Sequence, residues 1–250
     1  MKKNLICIII VCIVMISAFS AVLLMGDRTD DNIVLSGSEE QKVSNKLVEH
    51  NLAAVENSLS IPLSAVAQYV AADGDEQKVR ETLTEIQVLS DEICRGIDSS
   101  YDKLCAISRW ISESIYYDYD AFNEFVTQET IDLRNVLSTR RTVCMGYANL
   151  CAALCAAQGI DCRVVHGTAV PSGRFGDDGE GGEQHEWNIA VLDGRTVWID
   201  ALWDTTNYYI IGEYHDGRVK DKYFDMSDED IAKNHRADRV EIRDYFSLLD

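Results

Sequence analysis

The sequence predicts an α+β fold: a helical N-terminal layer, a central helix buried on every side, and an antiparallel sheet following it. Three observations predict it. Apolar residues recur at spacings of three and four from about Val43 to Tyr117. The run from Cys144 to Gly159 carries no charge and is rich in alanine, so as a helix it must be enclosed by other elements. Beyond Gly159 short β-rich runs alternate with turn signals, of which Asp193-Gly194 is the strongest.

Taken in chain order, Lys2 and Lys3 precede an uncharged stretch, Asn4 to Gly26, closed by Asp27-Arg28. This is the pattern of an exported protein, and an apolar run of about 20 residues can span a bilayer. Residues 1–26 are therefore expected to be a signal peptide or N-terminal membrane anchor, the uncleaved anchor being preferred. Ala18-Phe19-Ser20 would serve if cleavage occurs. The expected location is extracytoplasmic. Cys7 and Cys12 lie inside the apolar run and too early for a lipoprotein.

Residues 27–42 read as a polar spacer and 43–92 as a helical N-terminal extension. Its stretches are punctuated by Ile61-Pro62 and Asp73-Gly74-Asp75. Residues 93–250 form the main domain. There, Ser99 or Ser100 caps a helix with Asp102 in its first turn, and Leu104, Ile107, Ile111 and Ile115 form its inner stripe. A short helix follows at Thr130 to Ser138. The central helix starts near Cys144 and ends at Gly159, a glycine placed to stop it.

Strands are expected from Cys162 to His166, His185 to Leu192 and Thr196 to Leu202. Tyr208 to Ile211 and Arg218 to Phe224 suggest a hairpin around His215-Asp-Gly217. The polar end, Ser227 to Asp250, is read as a closing helix or irregular wrap. The glycine- and acid-rich loop Gly173 to Glu183 sits where a flap over a cleft would sit.

Of the 250 residues 46% are hydrophobic and 26% charged, enough for one good-sized core. With 42 acidic against 23 basic residues, the net charge of −19 excludes nucleic acid as a partner. Six cysteines follow the apolar run: Cys94, Cys105, Cys144, Cys151, Cys155 and Cys162. Most read as small apolar fillers, and pairing among them cannot be deduced from spacing.

The chemistry concentrates in three segments. Cys144 opens the central helix, where unpaired N–H groups and aligned peptide dipoles favour a thiolate over a thiol. His185 and Asp200 fall on consecutive strands joined at Asp193-Gly194, one diagonal apart on the same face. An imidazole beside the sulfur can hold its proton and later deliver it, and a carboxylate on the far ring nitrogen fixes the tautomer. Asp204 competes with Asp200, though the strand has ended by then. His166 lacks a carboxylate in suitable register.

The segments Val143-Cys-Met-Gly-Tyr-Ala148, Gly159-Ile-Asp-Cys-Arg-Val-Val-His-Gly167, His185-Glu-Trp-Asn188 and Trp198-Ile-Asp-Ala-Leu-Trp-Asp204 resemble the transglutaminase-like domain of bacteria, in the papain-like superfamily. Tyr101-Asp-Lys-Leu-Cys-Ala-Ile-Ser-Arg-Trp-Ile111 is similar to the helix before the nucleophile in that family. Tyr223-Phe-Asp-Met-Ser-Asp-Glu229 and Asn234-His235-Arg236 resemble its C-terminal stretch. The resemblance spans roughly residues 93–240. It implies Cys144 as nucleophile, His185 as base, Asp200 as orienting carboxylate and Tyr117 as a side-chain donor to the oxyanion.

The implied activity is acyl transfer through a thioester, by amide hydrolysis or transglutaminase-type transfer, on a protein or peptide of the cell surface or cell wall. A binding adaptor on the same fold is the alternative. No cofactor and no metal are expected. Cys151, Cys155, Cys162 and His166 have ligand-like spacing, but helical Cys151 and Cys155 would have to turn outward from a buried stripe.

Overall fold

In the computed structural model the described residues are 37–171, 175 and 181–249. The expected signal or anchor (1–26), the spacer before Gly37 and most of the glycine-rich loop lie outside them. No helix among the described residues is long and apolar enough to cross a membrane.

The N-terminal layer comprises α1 (Gly37–Glu56), β1 (Leu59–Ser60), α2 (Leu63–Val70) and α3 (Glu76–Ile93). Helix α1 takes up the last part of the expected spacer. Asp75 caps α3 by accepting the Lys78 N–H, and Ser99 caps α4 (Ser100–Ser114) by accepting that of Asp102. Val66, Val70, Leu83 and Ile86 share one core with Leu104, Ile107 and Ile111 of α4. From Glu40 onward the chain is one compact unit, so the expected extension is packed into the main domain.

After α4 come β2 (Tyr116–Asp118), α5 (Tyr119–Glu124), α6 (Gln128–Ile131), α7 (Leu133–Thr139) and β3 (Arg141–Thr142). The single helix expected over 130–138 is two, because Asp132 is extended between them. Its carboxylate takes the N–H groups of Asn135 and Ala72, at 2.7 and 3.0 Å. That cap starts α7 and ties it to the end of α2.

Helix α8 (Cys144–Ala157) is the centre of the molecule, and every residue from Gly146 to Cys155 is buried. A glycine follows it at Gly159, in the left-handed region with φ 70°. The helix packs on α3 and α4 on one side and on β4 (Asp161–Ala169) and β5 (Glu183–Leu192) on the other. Asn188 of β5 donates to the carbonyl oxygens of Ala148 on α8 and Arg163 on β4, at 2.9 and 3.2 Å. That side chain pins the helix to the sheet.

The main sheet has the order β1-β10-β4-β5-β6-β9, with β6 (Arg195–Ile199), β9 (Phe224–Met226) and β10 (His235–Ile242). All its pairings are antiparallel except the edge pair β1 and β10. Val164, Ala190, Val197 and Ile199 belong to the core around α8. Trp187, Ile189, Trp198 and Val240 form a second cluster with Val55 of α1 and Ile231 of α10 (Asp228–Ile231). The sheet is thus covered on both faces. The β5–β6 turn, Asp193-Gly194, has φ of 51° and 77°, the geometry a two-residue hairpin requires.

Three expectations need correcting. Residues 235–242 are a strand next to β4, not a helix or irregular wrap. The later hairpin turns at Ile211-Gly212 (φ 53° and 77°), joining β7 (Tyr208–Ile210) to β8 (Glu213–His215), rather than at His215–Gly217. It belongs to a second sheet of order β3-β2-β7-β8, in which β2 pairs parallel with both neighbours. Finally, β6 ends at Ile199, because Asp200 leaves the ladder to cap α9 (Ala201–Asp204).

Candidate active site

The three segments singled out from the sequence meet at one cleft of about 550 Å³, lined by Cys144, His185, Tyr117, Trp203 and Tyr208 among others. Cys144 is the first residue of α8 and is partly exposed. Its sulfur therefore stands at the positive end of the helix's aligned peptides, open to the cleft.

His185 lies near the start of β5, 9% exposed, and Asp200 just after β6, 1% exposed. The His185 Nε2 lies 2.7 Å from Asp200 Oδ2, and the ring lines the same cleft as Cys144, close enough for the two to interact electrostatically. With Nε2 taken by the carboxylate, Nδ1 is the nitrogen left for the sulfur. Burial pulls the His185 pKa down, but the Asp200 charge and hydrogen bond, helped by Cys144, push it up to about 10. Burial of Asp200 favours its neutral form, yet the two histidines beside it hold its carboxyl below the usual carboxylate range. The pair is therefore built to exist as carboxylate and imidazolium.

Asp200 is held from its other side as well. Its Oδ1 accepts the Trp203 N–H at 2.9 Å, and its own N–H donates to the Tyr223 carbonyl at 2.8 Å. The competing Asp204 is turned elsewhere: its carboxylate accepts the N–H groups of Lys222 and Tyr223, at 2.7 and 2.8 Å. Trp203 stacks on His185 with ring centroids 5.2 Å apart, and Trp187 does so at 5.9 Å. Those indoles keep water from the imidazole's faces.

Tyr117 lines the cleft beside Cys144. Burial raises its pKa, and proximity to Cys144 raises it further, so the phenol stays a proton donor. It packs edge-on against Tyr119, 4.8 Å away, as part of an aromatic rim that continues to Phe122 and Tyr208.

One residue of the site carried no assigned role in the sequence reading. His235, wholly buried at the start of β10, puts its Nε2 at 3.1 Å from the same Asp200 Oδ2. The signal available was its place in the C-terminal stretch Asn234-His235-Arg236, but a lone histidine says nothing of a carboxylate 35 positions away.

His166 also differs from expectation. It faces Glu186 across the β4–β5 register, with Nδ1 2.7 Å from that carboxylate, and its Nε2 is 3.1 Å from Glu241 of β10. Both ring nitrogens are thereby engaged, so His166 is not a fourth ligand to the cysteines. The sulfurs of Cys151, Cys155 and Cys162 do lie within 4.8 Å of one another, buried between α8 and β4. They could offer three thiol ligands but sit apart from the cleft.

A cleft holding a cysteine at a helix start, beside a histidine that is itself bonded to a buried aspartate, is an arrangement that can activate a thiol as a nucleophile. Residues 87–201 match the family model of the transglutaminase-like superfamily. The chain is similar to the kyphoscoliosis peptidase of Mus musculus, 29% identical over 146 residues, covering 58% of this chain and 22% of that protein. The Homo sapiens kyphoscoliosis peptidase is 29% identical over 116 residues, covering 46% of this chain and 17% of that protein. The chain thus spans only about a fifth of the length of these relatives. Among solved structures, a protein of Cytophaga hutchinsonii proposed to be a cysteine protease aligns at TM-score 0.40 and 18% identity, covering 69% of this chain and 45% of that one. A TGase aligns at TM-score 0.37 and 15% identity, covering 83% and 41%.

Proposed function

We propose that this protein is a cysteine-dependent acyl-transfer enzyme that breaks amide bonds of proteins or peptides through a thioester. The single observation that carries the reading is His185, which shares the cleft with Cys144 and has its Nε2 2.7 Å from Asp200 Oδ2. The match of residues 87–201 to the transglutaminase-like superfamily supports the same chemistry.

In this reading the Cys144 thiolate adds to a carboxamide or peptide carbonyl. The carbonyl electrons move onto oxygen, which the Cys144 N–H and the Tyr117 hydroxyl stabilise. Collapse expels the amine, which takes the proton from His185 Nδ1, and leaves a thioester. Water or a second amine then adds to the thioester while His185 takes the incoming proton, and the thiolate departs with the sulfur's electron pair. Asp200 keeps Nε2 protonated throughout and lowers the cost of the imidazolium. Export behind the apolar N-terminal stretch would put substrates at the cell surface or in the cell wall.

The test is alkylation by iodoacetamide at neutral pH, read site by site by mass spectrometry, followed by trapping of an acyl-enzyme from a peptide library. The reading expects Cys144 to label fastest, with a rate that collapses in His185→Ala. Equal, slow labelling of all six cysteines beyond the apolar N-terminal run would instead indicate a binding adaptor on the same fold.

A further inference from the structure

We propose that His235 is a positioning residue of this site: a second, neutral imidazole whose Nε2–H locks Asp200 in the orientation that serves His185. The inference rests on the acyl-transfer reading above and adds to it a fourth side chain that does not touch substrate.

The atoms allow little else. An ionised carboxylate only accepts hydrogen bonds, and Asp200 Oδ2 has two imidazole nitrogens on it, His185 Nε2 at 2.7 Å and His235 Nε2 at 3.1 Å. Each must therefore present an N–H. For His235 this leaves Nδ1, which lies 2.7 Å from the Asn234 side-chain oxygen, Oδ1. A neutral ring needs a donor there, so the amide presents its NH₂, the half-turn that exchanges its two ends. Asn234 then selects the tautomer of His235, and His235 in turn orients Asp200.

Burial among aromatic rings opposes a charge on the His235 ring. His235 is 0% exposed, and its ring lies 4.4 Å from that of Trp203 and 4.9 Å from that of Trp187. Burial and the positive charge of His185 push its pKa down, against the pull of Asp200. Among the described residues the titratable groups acting on it are these two, Asp200 from the end of β6 and His185 from β5, beside indoles and an amide. The backbone is fixed as firmly as the ring. The His235 carbonyl accepts the Asn51 amide of α1 at 3.1 Å, and Asn51 Oδ1 accepts the Ala237 N–H at 2.8 Å. Helix α1, which carries none of the reacting groups, thereby holds the strand that holds the aspartate.

Removing the His235 donor strips Asp200 of one of its three side-chain acceptor contacts in a sealed site. The carboxylate then takes up a proton at higher pH, and His185 loses its fixed orientation on the acid side. The experiment compares His235→Phe, His235→Gln and Asn234→Ala in the full chain. It measures Cys144 alkylation by iodoacetamide from pH 4 to 10 alongside thermal melting. A Gln amide nitrogen can reach the Nε2 position, whereas Phe keeps ring volume without a donor.

His235→Phe is expected to slow labelling near pH 5 by about tenfold to a hundredfold and to move the acid limb of the profile upward. Rescue to within about threefold is expected in His235→Gln, and Asn234→Ala should show a smaller shift of the same sign. Should His235→Phe fail to fold, ¹⁵N spectra of the imidazoles in the unmodified protein decide the matter, since His235 must be neutral and protonated at Nε2. Wild-type labelling profiles in folded His235→Phe and Asn234→Ala, or a His235 protonated at Nδ1, would overturn the proposal while leaving the acyl-transfer reading intact. Labelling of Cys144 that ignores His185 would sink both.

Discussion

Replacing Asp200 with Asn changes one atom and tests the whole arrangement. The carboxylate is 1% exposed, so the amide must occupy the same space. Its orientation is dictated by the Trp203 N–H, which donates to Oδ1 at 2.9 Å and demands an acceptor there. The amide oxygen stays on Trp203, and the NH₂ takes the place of Oδ2, facing the Nε2 atoms of His185 and His235. Both rings must then accept. The proton of His185 moves to Nδ1, towards Cys144, where a lone pair is required.

The fold survives and the base is lost. The expected penalty on kcat/KM is about 10³- to 10⁴-fold, or roughly 4 to 5.5 kcal/mol of transition-state stabilisation. Alkylation reads the same event without a known substrate. An ordinary thiol is only about 0.3% ionised at pH 6, given a pKa near 8.5. The weaker nucleophilicity of a stabilised thiolate offsets part of that difference. Labelling of Cys144 at pH 6 should therefore fall about ten- to a hundredfold in Asp200→Asn. An unchanged rate at pH 6 in a folded variant would refute the argument, because Asp200 would then not be setting the tautomer.

Other perturbations follow from the same geometry. A Cβ on Gly167 would stand 2.0 Å from the Arg236 carbonyl oxygen and 2.7 Å from the Trp187 ring. Gly167→Ala must therefore push β10 off β4 beside His235. We expect about 1–3 kcal/mol of destabilisation, a fall in Tm of about 2–4 °C per kcal/mol, and slower Cys144 labelling. A variant with unchanged melting would show that the strands can part freely. Asn188→Ala removes the amide that joins Ala148 of α8 to Arg163 of β4, at a cost of about 1–3 kcal/mol in chemical denaturation. An effect under about 0.5 kcal/mol would mean that α8 is held by apolar packing alone.

The pH dependence is set by His185. Its folded pKa is raised from an ordinary 6.5 to about 10, so the stability it contributes is full below about 6.5 and is lost as pH rises through about 10. Activity should fall in the same alkaline window, as the ring loses the proton owed to the leaving amine. A fall centred near pH 7 would contradict the ion pair.

Local signals in the chain reached a good part of this. The uncharged run after Cys144 specified a helix enclosed by other elements, because no arrangement of that segment leaves a solvent-facing side. Ser99 and the pair Asp193-Gly194 marked a cap and a turn, because each acts through backbone groups within three residues of itself. Cys144, His185 and Asp200 stood out because their residue types and strand spacing suit one chemistry.

What tertiary structure alone decided was the fate of charged and polar residues. The strand His235–Ile242 carries Arg236, Asp238, Arg239 and Glu241, and by composition alone it reads as exposed. It is an inner strand because Glu241 meets His166, Arg239 and Arg243. Burial pushes the Glu241 pKa up, but His166 and Arg243 hold it down to about 2. The role of His235 likewise exists only once Asp200 is beside it. A buried polar group is stable only with its partner in place, and here the deciding partners, His166 for Glu241 and Asp200 for His235, are remote in the chain.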